Sequence, residues 1–154
     1  MISITNPNNY RPISVLPIVS KLIETVVFNQ LYDFLMRHDL LADVQSGFGP
    51  CHSTLTALLD ITNDWFSNMD NGLLNGVLFL DLKKVFDIVG HEILLRKLSF
   101  HGVDSITVKW LRSYRKQRTD VNGSLSDDGS TVCGVSQGSI LGPLLFLIYI
   151  NNFP

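Results

Sequence analysis

The chain has 154 residues, 45% of them hydrophobic and 17% charged, with a formal net charge of −2 and an isoelectric point near 6.0. That length allows one domain or part of one. The near-neutral charge argues against strong, unaided nucleic-acid binding, and a charged share below the usual quarter or so suits a piece whose apolar faces meet further chain. Cys51 and Cys133 have no paired spacing; they read as two structural thiols in a reducing compartment rather than a disulfide framework. No basic segment followed by an apolar core marks a signal peptide, and the longest apolar run, Ile140 to Ile150, is shorter than the roughly 20 residues that span a bilayer.

In chain order, residues 1–19 read as extended and turn-rich, punctuated by Pro7, Pro12 and Pro17. From Ser20, a candidate N-cap, to about Arg37 the apolar residues Leu22, Ile23, Val26, Val27, Phe34 and Leu35 recur at helical spacing. A loop with Gly47, Gly49 and Pro50 follows. A second helix is predicted from Thr54 to about Met69, capped by Ser53 and ended by Asn71-Gly72. Gly76 to Leu82 reads as a buried strand, a short apolar run without helical period. His91 to about Phe100 is a short helix stopped near Gly102, and Asp104 caps the next, which carries Ile106, Trp110, Leu111 and Tyr114. Thr119 to Asn122 and Ser130 to Val135 read as strands with Asp127-Asp128-Gly129 as the turn between them, and Ser139 to Ile150 as the last helix. The mixture implies an α+β chain.

Taken alone, Asp81 is a carboxylate at the end of an apolar strand, costly unless it meets a cation or a donor. Magnesium favours one or two carboxylates together with substrate phosphates, so Asp81 reads as a metal ligand or, more plainly, as a strand-end cap. Asp87 is the runner-up, with helix cap or local acceptor as its plainer reading. Lys109, Arg112, Arg115, Lys116 and Arg118 form the one basic cluster, interleaved with Trp110 and Tyr114. At helical spacing Arg112, Arg115 and Lys116 share a face, either a nucleic-acid contact or a solvated surface.

Several blocks stand in one order along the chain. They are Asn9-Tyr10-Arg11-Pro12-Ile13-Ser14, then Gln45-Ser46-Gly47-Phe48 with Ser53-Thr54, then Phe79-Leu80-Asp81-Leu82-Lys83-Lys84-Val85-Phe86-Asp87. His91-Glu92-Ile93-Leu94-Leu95 and Trp110-Leu111-Arg112-Ser113-Tyr114 come next, and Gly134-Val135-Ser136-Gln137-Gly138-Ser139-Ile140-Leu141-Gly142-Pro143 last. Together they resemble the reverse transcriptases of non-LTR retrotransposons, the LINE-like, jockey-type mobile elements. The resemblance implies an intracellular RNA-directed DNA polymerase, cytoplasmic or nuclear, that extends a DNA primer on an RNA template with deoxynucleoside triphosphates and Mg2+. Asp81 matches a catalytic aspartate that binds metal, and the Leu82 carbonyl a second ligand of one ion. The amides of Lys84 and Val85 match donors to the incoming triphosphate, as in a backbone anion nest. Phe86 matches a steric gate against ribonucleotides, although simple core packing is its plainer reading. Arg11 matches an arginine of the fingers that forks onto phosphate. Gln137 and Gly138 match the motif that touches nucleotide or template, with the start of a helix behind them as a site for negative charge. A plain helix-start turn is the alternative for Gly138.

The fold that the resemblance implies is a partial right-hand polymerase, with helices packed on a small, mostly antiparallel sheet. Residues 1–75 are expected to be fingers-like and 76–154 a partial palm, with no endonuclease domain before them. The Ala-Asp-Asp hairpin that carries the other metal-binding carboxylate in this family has no match in these residues, so one aspartate is left for two cations about 3.5–4 Å apart. Gly49, Val85, Gly90, Ser136 and Asn152 depart from the usual arginine, alanine, acid, proline and aspartate. The expectation is a chain inactive by itself, prone to self-association through uncovered palm surface. The rivals are a non-catalytic remnant that binds RNA or template–primer, and an inert product.

Overall fold

The computed structural model describes residues 13–42, 47–48, 53–81, 84–114 and 116–151. Five helices lie among them: α1 (Ile18–Arg37), α2 (Thr54–Asp70), α3 (His91–Phe100), α4 (Ser105–Ser113) and α5 (Leu141–Ile150). Four two-residue strands, β1 (Lys116–Gln117), β2 (Asp120–Val121), β3 (Ser124–Leu125) and β4 (Gly129–Ser130), lie between α4 and α5. The chain is thus mixed helix with a small antiparallel sheet.

α1 begins two residues before the expected Ser20 cap, directly behind Pro17, whose extended φ of −56° and ψ of 150° end the preceding run. Its buried residues, Glu24, Leu31 and Leu35, repeat at spacings of seven and four along one face. Leu22, Ile23 and Val26, expected on that face, are exposed. α2 matches its expected start. The Ser53 hydroxyl accepts from Thr56 N at 3.1 Å, and Thr56 Oγ1 accepts from Ser53 N at 2.8 Å, a reciprocal cap. None of its residues is buried. Ser53→Ala should therefore cost the helix about 1 kcal/mol without moving the global unfolding midpoint. Faster amide exchange confined to the first turns of α2 is the expected reading.

The core sits where α1, α3, α4 and α5 meet. Leu35, Leu98, Leu141, Leu144 and Ile148 are all but fully buried there, together with Val89, Leu94 and Leu95. α4 is capped as predicted, the Asp104 carboxylate accepting from Ile106 N at 2.8 Å and Thr107 N at 3.0 Å. The Thr107 hydroxyl also donates to this carboxylate, and that bond foremost, with the two from the backbone, holds the carboxyl below its usual pKa range. α5 is apolar all round, as a helix enclosed by others must be. Its far end is tied back twice. Lys97 Nζ donates to Tyr149 O at 2.6 Å, and Asn151, just past the helix, accepts from Ala42 N at 2.9 Å and donates to Leu40 O at 2.5 Å.

Two expectations fail. Residues 73–81 take no regular secondary structure and pair with no described strand, and they are exposed, Phe79 at 80% and Leu78 at 81%. An apolar run becomes a strand only when a neighbour takes its backbone groups, and no described segment does so. The second failure is the sheet. Thr119 to Asn122 does not pair with Ser130 to Val135 across a turn at 127–129. Instead β2 pairs with β3 and β1 with β4, one hairpin folded at Asn122–Gly123. Its strand residues with described side chains are exposed, so the helices pack on one another and not on the sheet.

Candidate functional site

The site is built from two chain segments held side by side. After β4 the chain runs back along residues 86–91. Gly134 N donates to Val89 O at 2.9 Å, Val135 N to Phe86 O at 2.7 Å, and Gly90 and Cys133 form an isolated antiparallel bridge. His91 pins the pair from the start of α3, its ring nitrogens lying 3.0 Å from Thr131 O and 2.5 Å from Gly134 O. The first segment turns at Lys84–Asp87, closed by Asp87 N to Lys84 O at 2.9 Å, with Lys84 left-handed at φ 55°. The second turns at Ser136–Ser139 and enters α5.

Between the turns opens a cleft of about 370 Å³ lined by Lys84, Val85, Phe86, Gln137, Gly138 and Pro143, with Ser136 and Ser139. The structure thus brings together five of the predicted site residues from positions about fifty apart. Gln137 Nε2 donates to Asp87 Oδ1 at 3.2 Å, so the carboxylate nearest this glutamine is Asp87. Asp81 lies three positions before Lys84 in the chain, is exposed, and is not among the residues that line the cleft. The Phe86 ring packs against Phe146 at 4.8 Å and edge-on to Phe48 at 5.8 Å, so it both lines the cleft and joins an aromatic cluster. Gly138 is left-handed at φ 93°, and a Cβ there would stand 3.2 Å from Ser14 O, so only glycine lets the amino-terminal segment lie this close. Ser14 N donates in turn to Gln137 O at 2.9 Å. Arg11, Leu82 and Arg115 lie outside the described residues.

The start of α5, expected as a site for negative charge, holds the carboxylate of Glu24. Its Oε2 accepts from Ile140 N at 2.7 Å, so a carboxylate of α1 already meets the positive end of the helix. A phosphate there would displace that carboxylate. The sequence reading missed Glu24, although its place in the stripe with Leu31 and Leu35 was the available signal.

The basic face does not form as expected. α4 ends at Ser113 and Lys116 sits on β1, so Arg112 and Lys116 do not share one helix face. Arg112 lies 3.4 Å from Glu92, and Arg118 is paired with Asp128 at 2.5 Å. The bond and charge of Arg118 hold the Asp128 carboxyl below its usual pKa range. Both pairs are exposed and add little stability, but each offsets a cation that phosphate binding would need. As for metal, no three His, Cys, Asp or Glu side chains converge among the described residues. These residues do not by themselves make a metal centre.

A family profile described as reverse transcriptase (RNA-dependent DNA polymerase) matches residues 4–154. The chain is 33% identical over 158 residues to a probable RNA-directed DNA polymerase from transposon BS of Drosophila melanogaster, covering 97% of this chain and 17% of that protein. It is 31% identical over 152 residues to the RNA-directed DNA polymerase from mobile element jockey of the same species, again covering 97% and 17%. It is 28% identical over 155 residues to the retrovirus-related Pol polyprotein from type-1 retrotransposable element R2 of Popillia japonica, covering 92% and 20%. The chain therefore spans about a fifth or less of the length of these curated relatives. A match over nearly all its residues, with the motif segments meeting at one cleft, means that this chain belongs to the reverse transcriptase family, on the branch of non-LTR retrotransposons.

Proposed function

We propose that the cleft between the Lys84–Asp87 and Ser136–Ser139 turns is the nucleotide-binding part of an RNA-directed DNA polymerase. Residues 1–75 then belong to the fingers and 76–154 to part of the palm. The observation that carries this reading is the meeting of Lys84, Val85 and Phe86 with Gln137 and Gly138 across one cleft. Left-handed Lys84 supports an amide nest for the triphosphate, since such concavities alternate right- and left-handed backbone. Phe86 lines the same cleft, and its bulky ring would exclude a ribose 2′-hydroxyl. Arg11 would add a bidentate phosphate contact, and Gln137, oriented by Asp87, would face the base or template.

Asp81 and the Leu82 carbonyl would supply part of a Mg2+ site, and the ion, when bound, would supply charge to the primer hydroxyl and the leaving pyrophosphate. The set requires a further carboxylate, and the tripeptide Ala-Asp-Asp does not occur in these residues. The RNA template and DNA primer would lie across the cleft. With Arg112 and Arg118 paired, binding by this chain alone is expected to be weak. Exposed Leu74, Leu78 and Phe79 favour self-association of the isolated chain.

Primer extension tests the reading. The 154-residue chain should give no product with a primed RNA template, deoxynucleotides and Mg2+. Joined in frame to the part of the jockey relative that follows the matched region, it should give Mg2+-dependent DNA. Synthesis by the chain alone, or none by the joined polypeptide, would count against the proposal.

A further inference from the structure

We infer that Glu24 is a positioning residue for the nucleotide site, acting through the start of α5; the inference rests on the reading of the cleft above. Glu24 is 1% exposed and is the one buried carboxylate among the described residues. Burying a carboxylate without a cation is costly, and both partners here are neutral donors. Oε1 accepts from the Tyr114 hydroxyl at the end of α4, and Oε2 accepts from Ile140 N. A leucine would fill the same space at less cost, so packing alone does not account for an acid.

Its placement does. Ile140 is the N-cap residue of α5 and has no side-chain cap of its own. Glu24 supplies one from another helix, 116 residues away in sequence. Ile140 follows the Gln137–Gly138 turn directly. That turn is held on its other side by Ser14, through the bond from Ser14 N to Gln137 O at 2.9 Å. The amino-terminal segment and α1 thus grip the turn from both ends. A shift of α1 against α5 would carry Gln137 out of line with Asp87 and the cleft.

The test begins with amide exchange on the 154-residue chain. Glu24→Leu should speed exchange at Ile140, Leu141 and Gly142 by at least about tenfold, the value of a lost charged hydrogen bond, and leave α3 unchanged. Glu24→Gln should stay within about threefold, because its carbonyl still accepts from Ile140 and its amide donates to Tyr114 Oη. Tyr114→Phe should likewise leave these amides protected, and it decides the question if Glu24→Leu does not fold. Protection kept in Glu24→Leu, or lost in Tyr114→Phe, or lost evenly across α1, α3 and α5, would overturn the inference.

In the joined polypeptide, Glu24→Leu should raise KM for the deoxynucleotide about tenfold and leave kcat nearly unchanged. A fall in kcat at constant KM would overturn the positioning role. If the joined wild-type polypeptide makes no DNA, the nucleotide-site reading fails, while the exchange pattern still decides what Glu24 does.

Discussion

Asp81→Asn in the joined polypeptide should lower kcat/KM for deoxynucleotide by more than about a hundredfold, whereas Asp87→Asn should cost no more than about tenfold. The two carboxylates lie six positions apart and compete for the metal role, but their surroundings separate them. Asp87 Oδ1 is engaged by Gln137 Nε2 at 3.2 Å, in the turn that backs the cleft. Asparagine keeps an oxygen at that place, so the contact weakens by about one neutral hydrogen bond, roughly 1 kcal/mol. Asp81 is exposed and is not among the residues that line the cleft. An ion bound there would need its charge, which asparagine lacks. Losing even an outer-shell partner of a metal costs about 10–100-fold, and a direct ligand should cost more. Single-turnover primer extension across a Mg2+ series measures both variants. The reverse ranking would place the metal at Asp87 and shift the register of the proposed site.

Some elements were legible in the sequence and others were not, and for a physical reason. Helices announce themselves locally. Ser53 and Asp104 were identifiable as caps because a short oxygen side chain before a helical run has one partner to seek, the orphan amides of the first turn. A strand is completed from elsewhere in the chain, so Gly76 to Leu82 carried the composition of a buried strand without a described partner to make it one. The hairpin did carry a local signal. Asn122 and Gly123 are both left-handed, at φ 52° and 82°, as a tight two-residue turn between strands requires, and Asn-Gly is its strongest sequence mark. Asp127-Asp128-Gly129 drew the prediction away from it. Lys84 to Phe86 and Gln137–Gly138 line one cleft. The ties that hold them, Glu24 to Ile140 and Asn151 to the backbone of residues 40–42, are long-range hydrogen bonds that no spacing rule encodes.

Gly142→Ala should destabilise the chain by about 1–3 kcal/mol, although alanine in a helix ordinarily gains about 1 kcal/mol over glycine. A Cβ at Gly142 would stand 2.7 Å from Ser139 Oγ and 2.9 Å from Ser136 O. The first contact can be relieved by turning Ser139, but its hydroxyl accepts from Gly142 N at 2.8 Å and that buried bond would be lost. The second is to a backbone carbonyl, which moves only if the Ser136–Ser139 turn moves. Crowding of this kind typically costs 1–3 kcal/mol, and the broken bond adds about 1 kcal/mol, so the sum outweighs the gain in propensity. Gly76, with nothing within 4 Å of its Cβ position, provides the control, and Gly76→Ala should leave the urea midpoint unmoved. Because the displaced turn carries Gln137, Gly142→Ala in the joined polypeptide should also weaken deoxynucleotide binding. An unchanged midpoint and an unchanged KM together would mean that the turn yields freely, and that α5 is not what holds Gln137 at the cleft.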